Sequence, residues 1–128
     1  MNTEELAKDV VDCIFQVHQE LGPGLLESSY EICLCHELSA RNIPFQRQLK
    51  LPLHYKGIKL DAGYRLDLLI ADQIIVELKV VEKLEPLHKA QLLTYLKLSH
   101  KTLGLLVNFN SNLIKDGIKR VVLNHKTR

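Results

Sequence analysis

No stretch of the chain approaches the ~18 consecutive apolar residues that a membrane span requires, which excludes a membrane-embedded protein as a reading. The first twenty residues carry Glu4, Glu5, Asp9 and Asp12 where a secretory leader would be basic and then apolar. A cytoplasmic location with no membrane partner is the expectation. Cysteine is scarce, and Cys13, Cys33 and Cys35 form an odd set without a C-x-x-C pair. That excludes a disulfide framework and a zinc knuckle and leaves reduced core thiols. The six histidines are scattered with no H-E-x-x-H spacing, so neither a zinc hydrolase nor a Ser-His-Asp triad is indicated. Only His88, close to Gln91, invites notice. Excess charge is also missing: 17 Lys and Arg against 15 Asp and Glu leave +2, too little to argue for a polyanionic partner from totals. Gly22-Pro23-Gly24 lacks the Lys-Ser/Thr pair of a phosphate loop. No repeat, low-complexity tract or linker divides the sequence.

What is present is ordinary for one folded unit: 128 residues, 46% apolar and 25% charged. A single domain over residues 1–128 follows. Leu6, Val10, Cys13, Val17 and Leu21 recur at helical spacing and predict a helix over about 3–21, with Asn2 and Glu5 placed for a capping box. Gly22-Pro23-Gly24 breaks it. Leu26, Tyr30, Leu34 and Leu38 predict a second helix ending near Arg41-Asn42. From Phe45 the period falls to two, predicting a strand over 46–55, a turn at Gly57 and a long strand over 58–70. Leu60, Ala62, Tyr64, Leu66, Leu68 and Ile70 would form one unbroken apolar face, with Lys59, Asp61, Gly63, Arg65 and Asp67 opposite. Residues 71–73 read as a polar turn and 74–81 as a central strand. Pro86 suits the first turn of a third helix carrying Leu87, Leu92, Leu93, Leu96 and Leu98, and buried strands follow over 102–109 and 118–123. The strand, helix, strand sequence through Glu77, Gln91 and Leu105 implies a parallel crossover beside an antiparallel meander. The fold class is therefore α/β, a mixed sheet flanked by helices.

Charge within the central strand is the chemical signal. Glu77 and Lys79 stand in the run Ile74 to Val81, share a face, and are rarely buried without a partner. With the hairpin centred on Asp72, Asp67 falls opposite Glu77, their Cβ atoms ~5 Å apart. Two carboxylates so close repel by roughly 3 kcal/mol at an effective dielectric near 20, and the arrangement asks for a cation. Oxygen ligands without Cys or His nearby suit Mg²⁺ or Mn²⁺. The alternative is an exposed Glu77–Lys79 ion pair with Asp67 merely solvated. Gln91 and Tyr95 share a face of the helix after this strand, and Glu27 and Tyr30 share a face of the helix before the meander. Taken singly, Gln91 reads as a solvated surface residue and both tyrosines as core. Between Arg41 and Lys59, Arg41, Arg47, Lys50, Lys56 and Lys59 occur without an acid. Arg47, Lys50 and Lys56 are thus candidates to follow a phosphate backbone, against the alternative of an ordinary lysine-protected strand edge.

The order of these elements resembles the PD-(D/E)XK nuclease superfamily: a helix with Glu27, a strand with Asp67, a strand with Glu77-Leu78-Lys79, and a helix with Gln91-x-x-x-Tyr95. Gly24-Leu25-Leu26-Glu27-Ser28-Ser29-Tyr30 looks, more narrowly, like the signature of the bacterial GxxExxY proteins, and the similarity runs from about Val11 to Asn124. The resemblance implies a restriction-endonuclease-like core in which Asp67 and Glu77 hold a metal ion, with the Leu78 carbonyl as a further ligand and Glu27 acting through metal-bound water. It implies that Lys79 activates water or stabilises phosphate charge and that Gln91 steadies the group. Leu66 stands where the superfamily's name has proline. The implied function is Mg²⁺- or Mn²⁺-dependent hydrolysis of nucleic acid, DNA first, by an endo- or exonuclease that a homodimer would also suit. The rivals are a non-catalytic nucleic-acid-binding or assembly subunit and catalysis on another substrate.

Overall fold

The structure, a computed structural model, describes residues 2–61 and 63–126. Helix α1 (Thr3–Leu21) begins where the Asn2 side chain accepts the Glu5 N–H at 2.8 Å, satisfying one of the donors that a helix start leaves free. Of its predicted stripe, Leu6, Val10, Cys13 and Val17 are buried and Leu21 is half-buried. Helix α2 (Glu27–Ala40) follows a turn that Tyr30 organises. The Tyr30 hydroxyl donates to the Gly22 carbonyl at 2.5 Å and accepts the Leu25 N–H at 3.1 Å, while the ring stacks on Phe109 at 4.5 Å. Glu4 anchors α1 to the far edge of the molecule through Arg120 at 2.7 Å and His125 at 2.8 Å.

Strands β1 (Phe45–Lys50), β2 (Leu53–Tyr55), β3 (Ile58–Leu60), β4 (Arg65–Ile70) and β5 (Ile74–Lys79) lead to helix α3 (Pro86–Ser99). Strand β6 (Leu103–Asn108), a short helix α4 (Ile114–Gly117) and β7 (Ile118–Val122) complete the order. The main sheet runs β1-β4-β5-β6-β7; β5 and β6, joined through α3, are parallel and the other neighbours antiparallel. This is the expected mixed sheet. Helix α4 was not expected from the sequence.

Two expectations fail between Leu51 and Tyr64. The predicted strands over 46–55 and 58–70 are each divided, and β2 and β3 form a separate two-stranded sheet. Two residues lie between Lys50 and Leu53 but four between Leu60 and Arg65, so the pairing that joins Lys50 to Arg65 cannot continue into the one that joins Leu53 to Leu60. Pro52 lacks an N–H for a ladder, and Gly63 takes φ +80. Ala62 of the predicted face lies outside the described residues. The unbroken apolar face also fails within β4. Leu66 joins the core beneath α3, with Leu69, Ile75, Leu92 and Leu96, whereas Leu68 and Ile70 join the core beneath α1 and α2. The strand therefore turns its side chains over at Asp67. The neighbouring strand carries the matching irregularity, since Gln48, facing Asp67, takes φ +48 and drops out of the pairing.

Gly104 fixes the height of α3 above the sheet. A Cβ there would meet both Leu92 methyl carbons at 3.0 Å, and Leu92 is fully buried. Gly104→Ala should destabilise the protein by about 1–3 kcal/mol through overpacking, read as a lowered denaturation midpoint. No helix among the described residues is long and apolar enough to cross a membrane.

Candidate active site

The β4–β5 ladder follows the expected register, with Leu68 opposite Val76, Leu69 opposite Ile75 and Ile70 opposite Ile74. Beyond Leu68 the pairing stops, at the place where β4 turns over, and two carboxylates accept backbone N–H groups across the gap. Glu77 Oε2 accepts the Asp67 N–H at 2.7 Å, and Asp67 Oδ2 accepts the Leu78 N–H at 2.8 Å. The Leu78 carbonyl faces the same edge, because a residue's N–H and C=O point to one side of an extended strand. The structure thus brings Asp67, Glu77 and Leu78 together.

Glu77 is only 5% exposed, and burial first and the Asp67 charge second push its pKa up to about 8. Burial likewise raises Asp67, against the Leu78 N–H and Lys79, which favour its charged form. Glu27, at the first turn of α2, is raised by desolvation of its carboxyl and by the Asp67 charge. The Lys79 charge favours ionisation of all three carboxyls. Yet Lys79 makes no ion pair among the described residues, so the Glu77–Lys79 salt bridge considered from the sequence is not formed. Its ammonium faces an acidic site without being committed to one carboxylate.

Glu31 was missed. It is 5% exposed and accepts from Arg47 Nε at 3.0 Å, Arg47 Nη2 at 2.7 Å and Gln48 Nε2 at 2.7 Å. The same Gln48 nitrogen reaches Asp67 Oδ1 at 3.4 Å, so the irregular residue of β1 links the buried Glu31 to the site. The signal was available in part: Glu31 lies one helical turn after Glu27, on the same face. Nothing in the sequence pointed to Gln48. Arg47, expected beside a phosphate backbone, holds Glu31 with a forked contact instead. Lys50 and Lys56 are exposed, and Lys56 Nζ lies 5.4 Å from the centre of the Tyr55 ring.

Gln91 is exposed and makes no hydrogen bond to Asp67, Glu77 or Lys79 among the described residues. It lines a cleft of about 510 Å³ with Tyr64, His88 and Tyr95. Tyr95 connects this cleft to the carboxylates: burial and then the Glu77 and Asp67 charges raise its hydroxyl pKa. Beyond β5, the Asn108 side chain accepts the Val81 N–H at 3.1 Å and donates to the Val81 carbonyl at 2.9 Å, fixing the exit from the strand that bears Glu77 and Lys79. Among the described residues no three His, Cys, Asp or Glu side chains are grouped to hold a metal, so any ion here would draw on the two carboxylates, a backbone carbonyl and water.

A five-stranded mixed sheet with helices on both faces and paired carboxylates where its central hairpin opens is a restriction-endonuclease-like α/β fold. The sequence model of the PD-(D/E)XK nuclease superfamily matches residues 4–121, and the chain belongs to that superfamily. Membership supports a nuclease-like function on nucleic acid, and such enzymes generally use divalent metals. No curated protein and no solved structure matches the chain.

Proposed function

We propose that the protein is a metal-dependent nuclease that hydrolyses phosphodiester bonds, DNA being the first candidate substrate. The observation that carries this reading is the opened β4–β5 edge, where Asp67, Glu77 and the Leu78 carbonyl offer hard oxygen donors beside Lys79, which makes no ion pair among the described residues. The donor set fits Mg²⁺ or Mn²⁺, which are held by one or two carboxylates and keep several waters. When bound, such an ion supplies an acidified water and neutralises charge on the phosphate. Asp67 and Glu77 would hold it, and Glu27 would receive a hydrogen bond from its water. Lys79 orients the attacking water or stabilises the developing phosphate charge. Gln48 and Glu31 keep Asp67 in place, and Gln91 acts from the cleft wall. The narrower likeness to GxxExxY proteins, action in the cytoplasm of a bacterial cell and assembly as a homodimer belong to this proposal too. Calorimetric titration with Mn²⁺ should show a site that Asp67→Asn or Glu77→Gln removes; unchanged binding in both variants would refute the metal assignment.

Nucleic-acid affinity should fall with salt. Lys50 and Lys56 are expected to contact phosphates, and Arg47 to act mainly through Glu31. Replacing both lysines by alanine should reduce the slope of log affinity against log salt by about two units on duplex DNA, and an unchanged slope would return them to a solvated edge.

One observation favours a second reading, a binding or assembly subunit that retains the fold. Both carboxylates already accept backbone N–H groups, as structural cross-links would. Mn²⁺-dependent cleavage of labelled single- and double-stranded DNA separates the two, since a binding subunit shifts mobility without cutting.

A further inference from the structure

The cleft beside the carboxylates has a composition that phosphodiester hydrolysis alone does not require. Its volume of about 510 Å³ lies in the range of small-molecule sites. Leu53, Leu87 and Tyr64 give it apolar walls, and Tyr95, buried in one core cluster with Leu66 and Ile75, joins it to the strands that carry Asp67 and Glu77. Tyr64 is 41% exposed and meets Tyr95 edge-on, with centroids 6.4 Å apart and planes at 62°, so ring surface is left for a planar group.

The remaining wall is polar and comes from α3, through His88, Gln91 and Thr94. His88 Nδ1 accepts the Glu85 N–H at 2.9 Å, which places the ring proton on Nε2 as a donor. The Thr94 hydroxyl donates to the Ala90 carbonyl at 3.1 Å and keeps its acceptor lone pairs. The Gln91 amide makes no hydrogen bond among the described residues and offers both a donor and an acceptor. Aromatic and aliphatic surface facing a row of mixed donors and acceptors matches a nucleobase, whose faces are apolar and whose edge is polar.

Resting on the nuclease reading, we propose that this cleft seats one unpaired nucleobase of the strand whose phosphodiester lies at Asp67 and Glu77, stacked against Tyr64 with its edge toward His88, Gln91 and Thr94. A base inside a duplex reaches such a cleft only after leaving its stack, at an energetic cost that a single strand avoids. The substrate class is therefore single-stranded nucleic acid, or an unpaired flap or frayed end.

The test measures binding in the Asp67→Asn background, which removes one carboxylate charge and suppresses cleavage, with fluorescein-labelled oligonucleotides and the blunt duplex of the same sequence. Single strands should bind more tightly than duplex. Tyr64→Ala should weaken single-strand binding by roughly 10-fold, in line with the loss of one base–aromatic stack, while Tyr64→Phe retains it. One abasic site along the oligonucleotide should reproduce that loss and make Tyr64→Ala cost nothing further. Equal affinity of the alanine variant and its parent, or indifference to every abasic position, would overturn the proposal and return the cleft to contact with a protein or an apolar ligand. Base-dependent binding without Mn²⁺-dependent cleavage by the wild-type protein would sustain the base site and remove the nuclease reading. Cleavage with binding insensitive to Tyr64 would do the reverse, and a wild-type protein that binds no nucleic acid would end both.

Discussion

Replacing Lys79 with alanine should reduce cleavage by about 10²–10³-fold, equivalent to about 3–4 kcal/mol of transition-state stabilisation, and leave the melting temperature nearly unchanged. The magnitude is that of removing one charge-stabilising contact from the developing phosphate. The expectation for stability follows from the structure, because Lys79 is partly exposed and makes no ion pair among the described residues. Had it neutralised Glu77 in a buried pair, its loss would strand a carboxylate at a cost of about 3–5 kcal/mol. Removing Lys79 also withdraws a positive charge from Asp67, Glu77 and Glu27, whose pKa values should all move further up. Cleavage assays with Mn²⁺ run beside thermal melts decide the matter. An inactive wild type together with a strongly destabilised variant would favour the non-catalytic reading.

The metal-free protein should lose stability as the pH rises from about 4.5 to about 8. Glu77 is raised from an ordinary 4.5 to about 8, mainly by burial, so between those values the folded state holds a proton that the unfolded state has released. By linkage, the stabilisation is full below the unfolded value and lost as pH climbs through the folded one. Asp67 and Glu27 are raised as well and act in the same direction. Glu4 does the opposite in a separate window: lowered to about 2 by the Arg120 hydrogen bond and then by His125, it withdraws its contribution as pH falls from 4.5 toward 2. The alkaline loss should amount to several kcal/mol, at about 1.4 kcal/mol per pKa unit. Glu77→Gln should flatten the profile and make the metal-free variant more stable than wild type at pH 8. Adding Mn²⁺ should restore the wild type there, because a cation favours the ionised carboxylates, and should do little for the variant. Denaturant midpoints across this range with and without Mn²⁺ test it, and a flat wild-type profile in chelator would refute it.

Local rules were sufficient for much of the molecule. The apolar stripe from Leu6 to Val17, ended by Gly22-Pro23-Gly24, set helix α1, and the distance of Asp67 and Glu77 from Asp72 set the register of the central hairpin. Periodicity and hairpin symmetry act over neighbouring residues, and so did the charges of Glu77 and Lys79, conspicuous in an apolar strand. Tertiary packing alone decided the division of both meander strands and the turning over of β4 at Asp67, because Leu66 and Leu68 enter different cores on the two faces of the sheet, beside a Gln48 held at positive φ. It also decided what the polar residues do. Arg47 met the buried Glu31, Tyr30 was drawn onto Phe109 and Gly22, and Lys79 was left without an ion pair among the described residues. Composition and spacing decide which residue types can reach a site; whether a charge faces solvent, another charge or an opened strand edge depends on contacts between segments far apart in the chain.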